Sequence, residues 1–142
     1  MKIIIAIPSP YARKARVALR EKKIDFEEII DIPWNVNTLT NGINPLGKIP
    51  VLLHDDHKPL FDSKVIVEYL DHYKPEPLLY PKNPEDNISA RLIETVADGI
   101  CDAIVLVFLE NSRIETLRSK NWIKRQEEKI FEGVKYISNY LE

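Results

Sequence analysis

Cysteine is almost absent from this 142-residue sequence, which contains one, Cys101. A single cysteine excludes an intrachain disulfide framework and an internal CxxC redox pair, and it fits a reducing cytoplasm. The sequence also lacks an excess of charge, with 20 Lys and Arg against 22 Asp and Glu. We therefore expect neither a nucleic-acid partner, which favours a basic excess, nor a charge-rich disordered tail.

Long hydrophobic runs are missing as well. The apolar residues 3–7 are cut short by Pro8 and followed closely by Arg13 and Lys14, so this segment does not have the pattern of a signal peptide. No stretch is long enough to span a bilayer, and no membrane partner is expected. With 44% hydrophobic residues, the chain has enough apolar material for one ordinary domain or two small ones.

A single serine lies between the first predicted strand and the first predicted helix. Residues 2–7 are rich in isoleucine, which is typical of a buried strand, and Pro10 suits a first helical position because its φ is fixed. Ser9 then falls at the N-cap and faces a helix terminus that carries roughly +0.5 of a charge. Two interpretations remain open at this point: Ser9 caps the helix only, or it stands beside a bound anion.

The next segments predict a small α/β domain. The helix that begins at Pro10 extends to about residue 22, and its basic residues are expected on a solvated side: Arg13, Arg16, Arg20, Lys22 and Lys23. Residues 26–30 predict a second strand, which makes a parallel βαβ unit. Residues 31–46 predict an irregular connection with a short helix at 36–40.

A proline turn and a hairpin follow the irregular connection. Pro50 is expected at the entry of an apolar strand, because proline removes a ladder donor, and residues 55–58 and 59–61 predict a polar loop and a returning strand. Asp62 and Ser63 predict the start of an amphipathic helix that ends near Tyr73. His54 and His57 are not expected to bind a metal, because adjacent loop residues seldom converge on one ion.

A proline-rich segment separates this domain from two long helices. Four prolines in residues 75–84 predict an extended linker between a domain at 1–74 and one at 85–142. Residues 85–110 and the segment from 121 or 122 onward predict helices with wide apolar faces. Such faces need more cover than two helices give each other, so we expect further helices, a partner chain, or both.

Four motifs, in order, give the chain a specific resemblance. The first is Ser9-Pro10-Tyr11-x-Arg13-Lys14-x-Arg16, and the second is Asn44-Pro45-x-Gly47-Lys48-x-Pro50-Val51. The third is Asp62-Ser63 followed by Ile66 and Glu68-Tyr69-Leu70, and the fourth is Ala97-Asp98-Gly99-Ile100-x-Asp102-Ala103. Together they make the chain similar to bacterial glutathione S-transferases. The resemblance implies a thioredoxin-like N-terminal domain and a partial all-helical C-terminal domain, truncated relative to the family.

The resemblance also implies a role for particular residues. Ser9 corresponds to the family's activating hydroxyl, which donates a hydrogen bond to the glutathione sulfur. Pro50 matches the cis-proline, so the backbone of Ile49 is expected to pair with the cysteinyl part of glutathione, with Lys48 beside this path. Asp62 and Ser63 match the residues that hold the γ-glutamyl end. Asp98 matches an acidic residue that reaches the glutathione of the partner subunit, which implies a homodimer.

Two features of the first motif restrict these assignments. Ala6 occupies a place where the family often has a second serine, so activation depends on Ser9, with Tyr11 as the other available hydroxyl. Position 9 is not cysteine, which argues against the thiol-exchange branch of the superfamily. The resemblance implies a cytoplasmic glutathione transferase that uses glutathione as co-substrate, needs no metal and acts on a small electrophile. The alternative is a non-catalytic module of this fold that binds a protein partner.

Overall fold

The computed structural model describes residues 1–55 and 57–141, and Asp56 of the predicted hairpin loop lies outside this range. The chain divides into two compact units, one comprising Met1–Leu79 and the other beginning at Tyr80. The first unit contains β1 (Lys2–Ile5), α1 (Pro10–Glu21), β2 (Glu27–Ile30), β3 (Val51–Leu53), β4 (Leu60–Phe61) and α2 (Ser63–Tyr73). The second contains α3 (Pro84–Asn111) and α4 (Lys120–Leu141). Single 3₁₀ turns occur at Thr40–Gly42 and Glu115–Leu117.

The four strands form one sheet in the order β2-β1-β3-β4. Strand β1 pairs in parallel with β2, which confirms the predicted βαβ unit, and antiparallel with β3. Strand β4 returns antiparallel to β3 as the predicted hairpin partner. The sheet therefore has the thioredoxin-like arrangement that the resemblance implies.

The core of the first unit lies around the central strand β1. Ile3, Ile4 and Ile5 are almost fully buried, as are Leu52 of β3 and Leu19 of α1. Helix α1 contributes a face of small residues, and α2 packs against α1 with the buried side chains Ile66, Val67 and Leu70. Each large aliphatic side chain buried in this way contributes about 1.5–3 kcal/mol, so the sheet and the two helices stabilise one another.

Two predicted elements differ from the structure. Strand β1 ends at Ile5 rather than at Ile7, because the amide of Ser9 donates to the carbonyl of Ala6 at 3.0 Å and turns the chain before the helix. The helix predicted at residues 36–40 is absent, and a 3₁₀ turn begins at Thr40 instead. The hydroxyl of Thr38 and the amide of Thr40 both donate to the carboxylate of Asp31. These hydrogen bonds replace the backbone bonds that a helix would need.

The expectation that all basic residues of α1 are solvated was wrong for two of them. Lys22, predicted on the helix surface, is completely buried and forms an ion pair with Asp71 at the end of α2. Arg16 lies against β2, where its Nε is 2.8 Å from a carboxylate oxygen of Glu28. Glu28 and Asp71 lie on other elements, more than one helical turn from Arg16 and Lys22 in the sequence. The helical periodicity of α1 therefore could not predict these ion pairs.

The second unit is a helical hairpin. Asn83 caps α3 through its side chain, which accepts from the amides of Glu85 and Asp86, and Pro84 is the first helical residue rather than the last of the linker. Helix α4 returns along α3, and Gly133 of α4 lies beside Ile100 of α3. At the turn between the helices, the amide of Ser119 donates a hydrogen bond to the carboxylate of Glu110. Many large apolar side chains of the hairpin are exposed, among them Ile88, Ile104, Phe108, Ile114 and Phe131. Among the residues that the structure describes, no helix has the length and apolarity to cross a membrane.

Candidate functional site

The strand register gathers three sequence motifs at one edge of the sheet. Ile4 near the end of β1 pairs with Val51 at the start of β3, and Val51 pairs with Phe61 at the end of β4. The segments that follow β1, precede β3 and follow β4 therefore all emerge at this edge. They carry Ser9, the dipeptide 49–50 and the dipeptide 62–63.

Ser9 is the N-cap residue of α1, as predicted. Its backbone is extended, with φ −71° and ψ 120°, and its Oγ accepts a hydrogen bond from the amide of Ala12 at 3.2 Å. Accepting this bond uses an oxygen lone pair and leaves the hydroxyl proton as a donor. The side chain is half-buried at the positive end of a twelve-residue helix, a position that favours a negative charge beside it.

The proline turn presents backbone at the same edge. The Ile49–Pro50 peptide bond is cis, as the resemblance implies, and Pro50 is buried while Ile49 is half-buried. Lys48 is exposed, and its carbonyl oxygen accepts from Nδ2 of Asn44 at 2.7 Å. The turn contains Gly47 at φ +59°, a left-handed conformation that costs glycine less than other residues.

Asp62 and Ser63 form a second polar helix start beside the proline turn. Asp62 is the N-cap of α2, and its carboxylate accepts from the amide of Lys64 at 2.9 Å. It adopts φ +66° and ψ 130°, a backbone conformation that is uncommon for a residue other than glycine. Ser63 is buried at the first helical position, where the backbone N–H has no partner within the helix. The edge thus combines two helix N-termini, both of which attract anions.

Asp98, His54 and His57 do not belong to the three segments at this edge. Asp98 lies on α3 in the second unit, one turn from Asp102, and is half-buried. His54 follows Leu53, which pairs with Lys2 at the start of β1, so the two histidines lie at the opposite edge. The ring centroids of His54 and His57 are 5.5 Å apart, and both rings lie near the ring of Tyr69. Within residues 1–55 and 57–141, no group of three or more His, Cys, Asp or Glu residues is arranged to hold a metal ion.

Sequence reasoning missed a buried polar chain behind the site. Asp31, Thr40 and Asn44 are 8%, 0% and 2% exposed and are joined by hydrogen bonds. Burial raises the pKa of Asp31, but hydrogen bonds from Thr38 and Thr40 outweigh it and hold the pKa below its ordinary value. The available signal was an aspartate directly after a strand, followed by two threonines, since such side chains bond to nearby backbone in irregular segments.

The fold and the site define a thioredoxin-like domain, with two helix N-termini and a cis-proline turn at one sheet edge, joined to a helical region. Residues 8–73 match the family model of the glutathione S-transferase N-terminal domain. The chain is 36% identical to the uncharacterized GST-like protein YibF of Escherichia coli, over 99% of this chain and 70% of that protein. These matches show that the chain belongs to the glutathione S-transferase family.

Two solved structures of bacterial relatives share the fold. A glutathione S-transferase of Methylobacterium radiotolerans, in complex with glutathione sulfonate, is 42% identical with a TM-score of 0.96, over 99% of this chain and 66% of that one. A glutathione S-transferase of Methylobacillus flagellatus, with glutathione bound, is 38% identical with a TM-score of 0.92, over 97% of this chain and 68% of that one. The chain thus spans about two thirds of the length of these relatives.

Proposed function

We propose that this chain binds glutathione and activates its thiol for attack on a small electrophile, with Ser9 as the catalytic residue. The observation that carries the proposal is the placement of Ser9, Ile49 and Ser63 at one edge of a thioredoxin-like sheet. The two bacterial relatives described above, which have glutathione sulfonate and glutathione bound, support glutathione as the ligand.

Ser9 acts on the sulfur in this proposal. The thiolate is the nucleophilic form of a cysteine side chain, and a free thiol has a pKa near 8.5. A hydroxyl that donates to the sulfur, together with the positive end of α1, stabilises the anion and lowers the thiol pKa. The bond from Ala12 to Ser9 Oγ orients the hydroxyl for this task.

The rest of the edge holds the tripeptide. The main chain of Ile49 pairs with the cysteinyl residue in β fashion, and Lys48 lies alongside. The N–H and hydroxyl of Ser63, at the start of α2, receive the γ-glutamyl carboxylate, and Asp62 holds the same end of the ligand. The proposal includes no metal, and glutathione is its co-substrate.

A homodimer in the cytoplasm completes the proposal. The exposed apolar side chains of α3 and α4 support a partner surface, and Asp98 on α3 is proposed to reach the γ-glutamyl amine bound to the partner subunit. The single cysteine fits a reducing compartment. The same exposed apolar side chains favour a second candidate function, a non-catalytic module that docks a protein partner through its helices.

Binding and conjugation assays separate the two functions. We expect the chain to bind glutathione in isothermal titration calorimetry and Ser9→Ala to lower kcat for a general electrophile by roughly 10²–10³-fold with little change in Kd. Tyr11→Phe is the matched control, because it removes the other hydroxyl near the start of α1. If the folded chain does not bind glutathione, the proposed transferase function is contradicted, and the non-catalytic module that docks a protein partner is retained. Full activity of Ser9→Ala contradicts the role of Ser9.

A further inference from the structure

The segment that connects β2 to β3 is irregular, yet it is fixed in place by buried polar side chains. Its only regular element is the single turn Thr40–Gly42. Three of its polar residues, Asp31, Thr40 and Asn44, are more than nine-tenths buried. Buried polar groups of this kind are hydrogen-bonded in folded proteins, and here the bonds link the three residues in sequence.

The first link begins at the sheet. The amide of Asp31 donates to the carbonyl of Ile5 at the end of β1 at 2.8 Å. One carboxylate oxygen of Asp31 then accepts from the amide of Thr40 at 2.9 Å and from the hydroxyls of Thr38 and Thr40. Hydrogen bonds to an ionised carboxylate are roughly twice as strong as neutral ones, so this link anchors Thr40 to the central strand.

The second link passes from Thr40 to Asn44. The carbonyl of Thr40 accepts from the amide of Asn44 at 2.8 Å. This bond places the Asn44 side chain, which is 2% exposed, inside the proline turn. The turn is thereby connected through two buried residues to the end of β1, the strand from which the chain leads to Ser9.

The third link ends at the Lys48–Ile49 peptide, whose backbone is proposed to bind glutathione. Asn44 Oδ1 accepts from the amide of Leu46 at 2.9 Å, and Asn44 Nδ2 donates to the carbonyl of Lys48 at 2.7 Å. The carbonyl of Asn44 accepts from the amide of Gly47 at 2.9 Å. The carbonyl of Lys48 and the amide of Ile49 belong to one planar peptide unit, so a bond to the carbonyl also sets the orientation of that amide.

We infer that Asn44 is a positioning residue for glutathione, and that the chain Asp31–Thr40–Asn44 holds the Lys48–Ile49 peptide in its binding orientation before the ligand arrives. The inference rests on the proposed function. A backbone that is already ordered loses less conformational entropy on binding. Freeing about one residue of the turn therefore weakens glutathione binding by roughly tenfold, while the Ser9 chemistry in the bound complex is unchanged.

The test compares Asn44→Ala with a core variant that does not touch the chain. Asn44→Ala is expected to raise Kd and KM for glutathione about tenfold with kcat within about twofold at saturation. Leu19→Ala destabilises the same unit by removing a buried side chain, and it is expected to leave Kd unchanged at a temperature where both variants are folded. Equal effects of the two variants on Kd, or no effect of Asn44→Ala, overturn the inference.

Thr40→Val keeps the test decisive if Asn44→Ala does not fold. This near-isosteric variant removes the hydroxyl bond to Asp31 and leaves the amide bond, so a smaller rise in Kd is expected, with Thr40→Ser restoring wild-type Kd. Wild-type Kd in a folded Thr40→Val overturns the inference.

Hydrogen exchange of the unliganded chain separates this inference from the proposed function. Asn44→Ala, or Thr40→Val in its place, is expected to accelerate exchange in residues 45–51, whereas Leu19→Ala does not do so selectively. A wild-type chain that does not bind glutathione contradicts the proposed function. Unchanged exchange in residues 45–51 contradicts the positioning role itself.

Discussion

Lys22 and Asp71 form a buried ion pair between side chains 49 residues apart in sequence. The ammonium of Lys22 also donates to the carbonyl of Lys74 at 2.8 Å and to that of Pro77. The carboxylate of Asp71 also accepts from the amide of Leu79 at 2.8 Å. The pair therefore joins the ends of α1 and α2 to the first part of the proline-rich segment, which belongs to the first compact unit as far as Leu79.

Lys22→Met is expected to destabilise the first unit by about 3–5 kcal/mol, because it leaves the buried carboxylate of Asp71 without its cation. Urea unfolding followed by circular dichroism measures the loss. Lys23→Met removes the neighbouring exposed cation and is expected to change the free energy of unfolding by less than about 0.5 kcal/mol. Similar losses in the two variants contradict the role of the buried pair.

Gly133→Ala is expected to destabilise the helical hairpin by about 1–3 kcal/mol. A Cβ at this position lies 2.6 Å from Cγ1 of Ile100 and 3.0 Å from its Cδ1, so α3 and α4 must separate or Ile100 must change rotamer. Gly99→Ala is the control, because a Cβ there meets nothing within 4 Å and alanine has the higher helix propensity. In thermal unfolding, Gly133→Ala should lower the melting temperature and Gly99→Ala should raise it. If both variants raise it, the close contact between Gly133 and Ile100 is contradicted.

The pH dependence of stability is expected to report the Asp31 carboxylate. Its folded-state pKa is lower than the ordinary 3.8, so the unfolded chain binds more protons and stability rises with pH in this range. The contribution is fully present above the unfolded value and is lost as the pH falls through the folded pKa. Asp31→Asn should therefore be less stable than wild type at pH 7, with the difference shrinking in acid.

Thr40→Val provides a second check on the cause of this pKa shift. Removing one donor raises the folded-state pKa of Asp31 towards its ordinary value, so the acid loss of stability should be smaller than in wild type and complete at a higher pH. Chemical denaturation across a pH series measures both variants. A constant stability difference between wild type and Asp31→Asn across the series contradicts the assignment.

Gly47→Ala is expected to cost about 1–2 kcal/mol, because L-residues with a Cβ are strained at φ +59°. A Cβ there also comes within 2.8 Å of Oδ1 of Asn41, a flexible side chain that can move away. In urea unfolding, the double variant Asn41→Ala/Gly47→Ala should be less stable than Asn41→Ala by about the same 1–2 kcal/mol. If the double variant is instead as stable as Asn41→Ala, the cost comes from crowding by Asn41 rather than from backbone strain.

Local signals in the sequence predicted the elements that frame the site. Ser9 followed by Pro10, and Asp62 followed by Ser63, fix two helix starts through capping chemistry that operates within a few residues. The strand after Pro50 was likewise predicted, because the chemistry of proline restricts where it occurs in a sheet. The pairing of β1 with β2 followed from the order strand, helix, strand, which predicts a parallel βαβ unit.

Long-range polar contacts were not predictable in this way. Lys22 has the spacing of a surface residue on α1, and its partner lies on a different helix, so no local pattern distinguishes it from an exposed lysine. The helix predicted at residues 36–40 was wrong because Thr38 and Thr40 bond to Asp31, several residues earlier. The partner of Lys22 is brought near only when the two helices assemble, whereas Asp31 lies seven and nine residues from the two threonines, where helical periodicity gives no signal for side-chain bonds of this kind.

The register of the central strand has a consequence for synthesis on the ribosome. Lys2 of β1 pairs with Leu53 of β3, so an apolar isoleucine strand leaves the ribosome some fifty residues before one of its two neighbours. Until that neighbour emerges, Ile3, Ile4 and Ile5 are open to association with other nascent chains or with chaperones. Slower synthesis of residues 31–50 is therefore expected to lengthen the time during which these isoleucine side chains are uncovered.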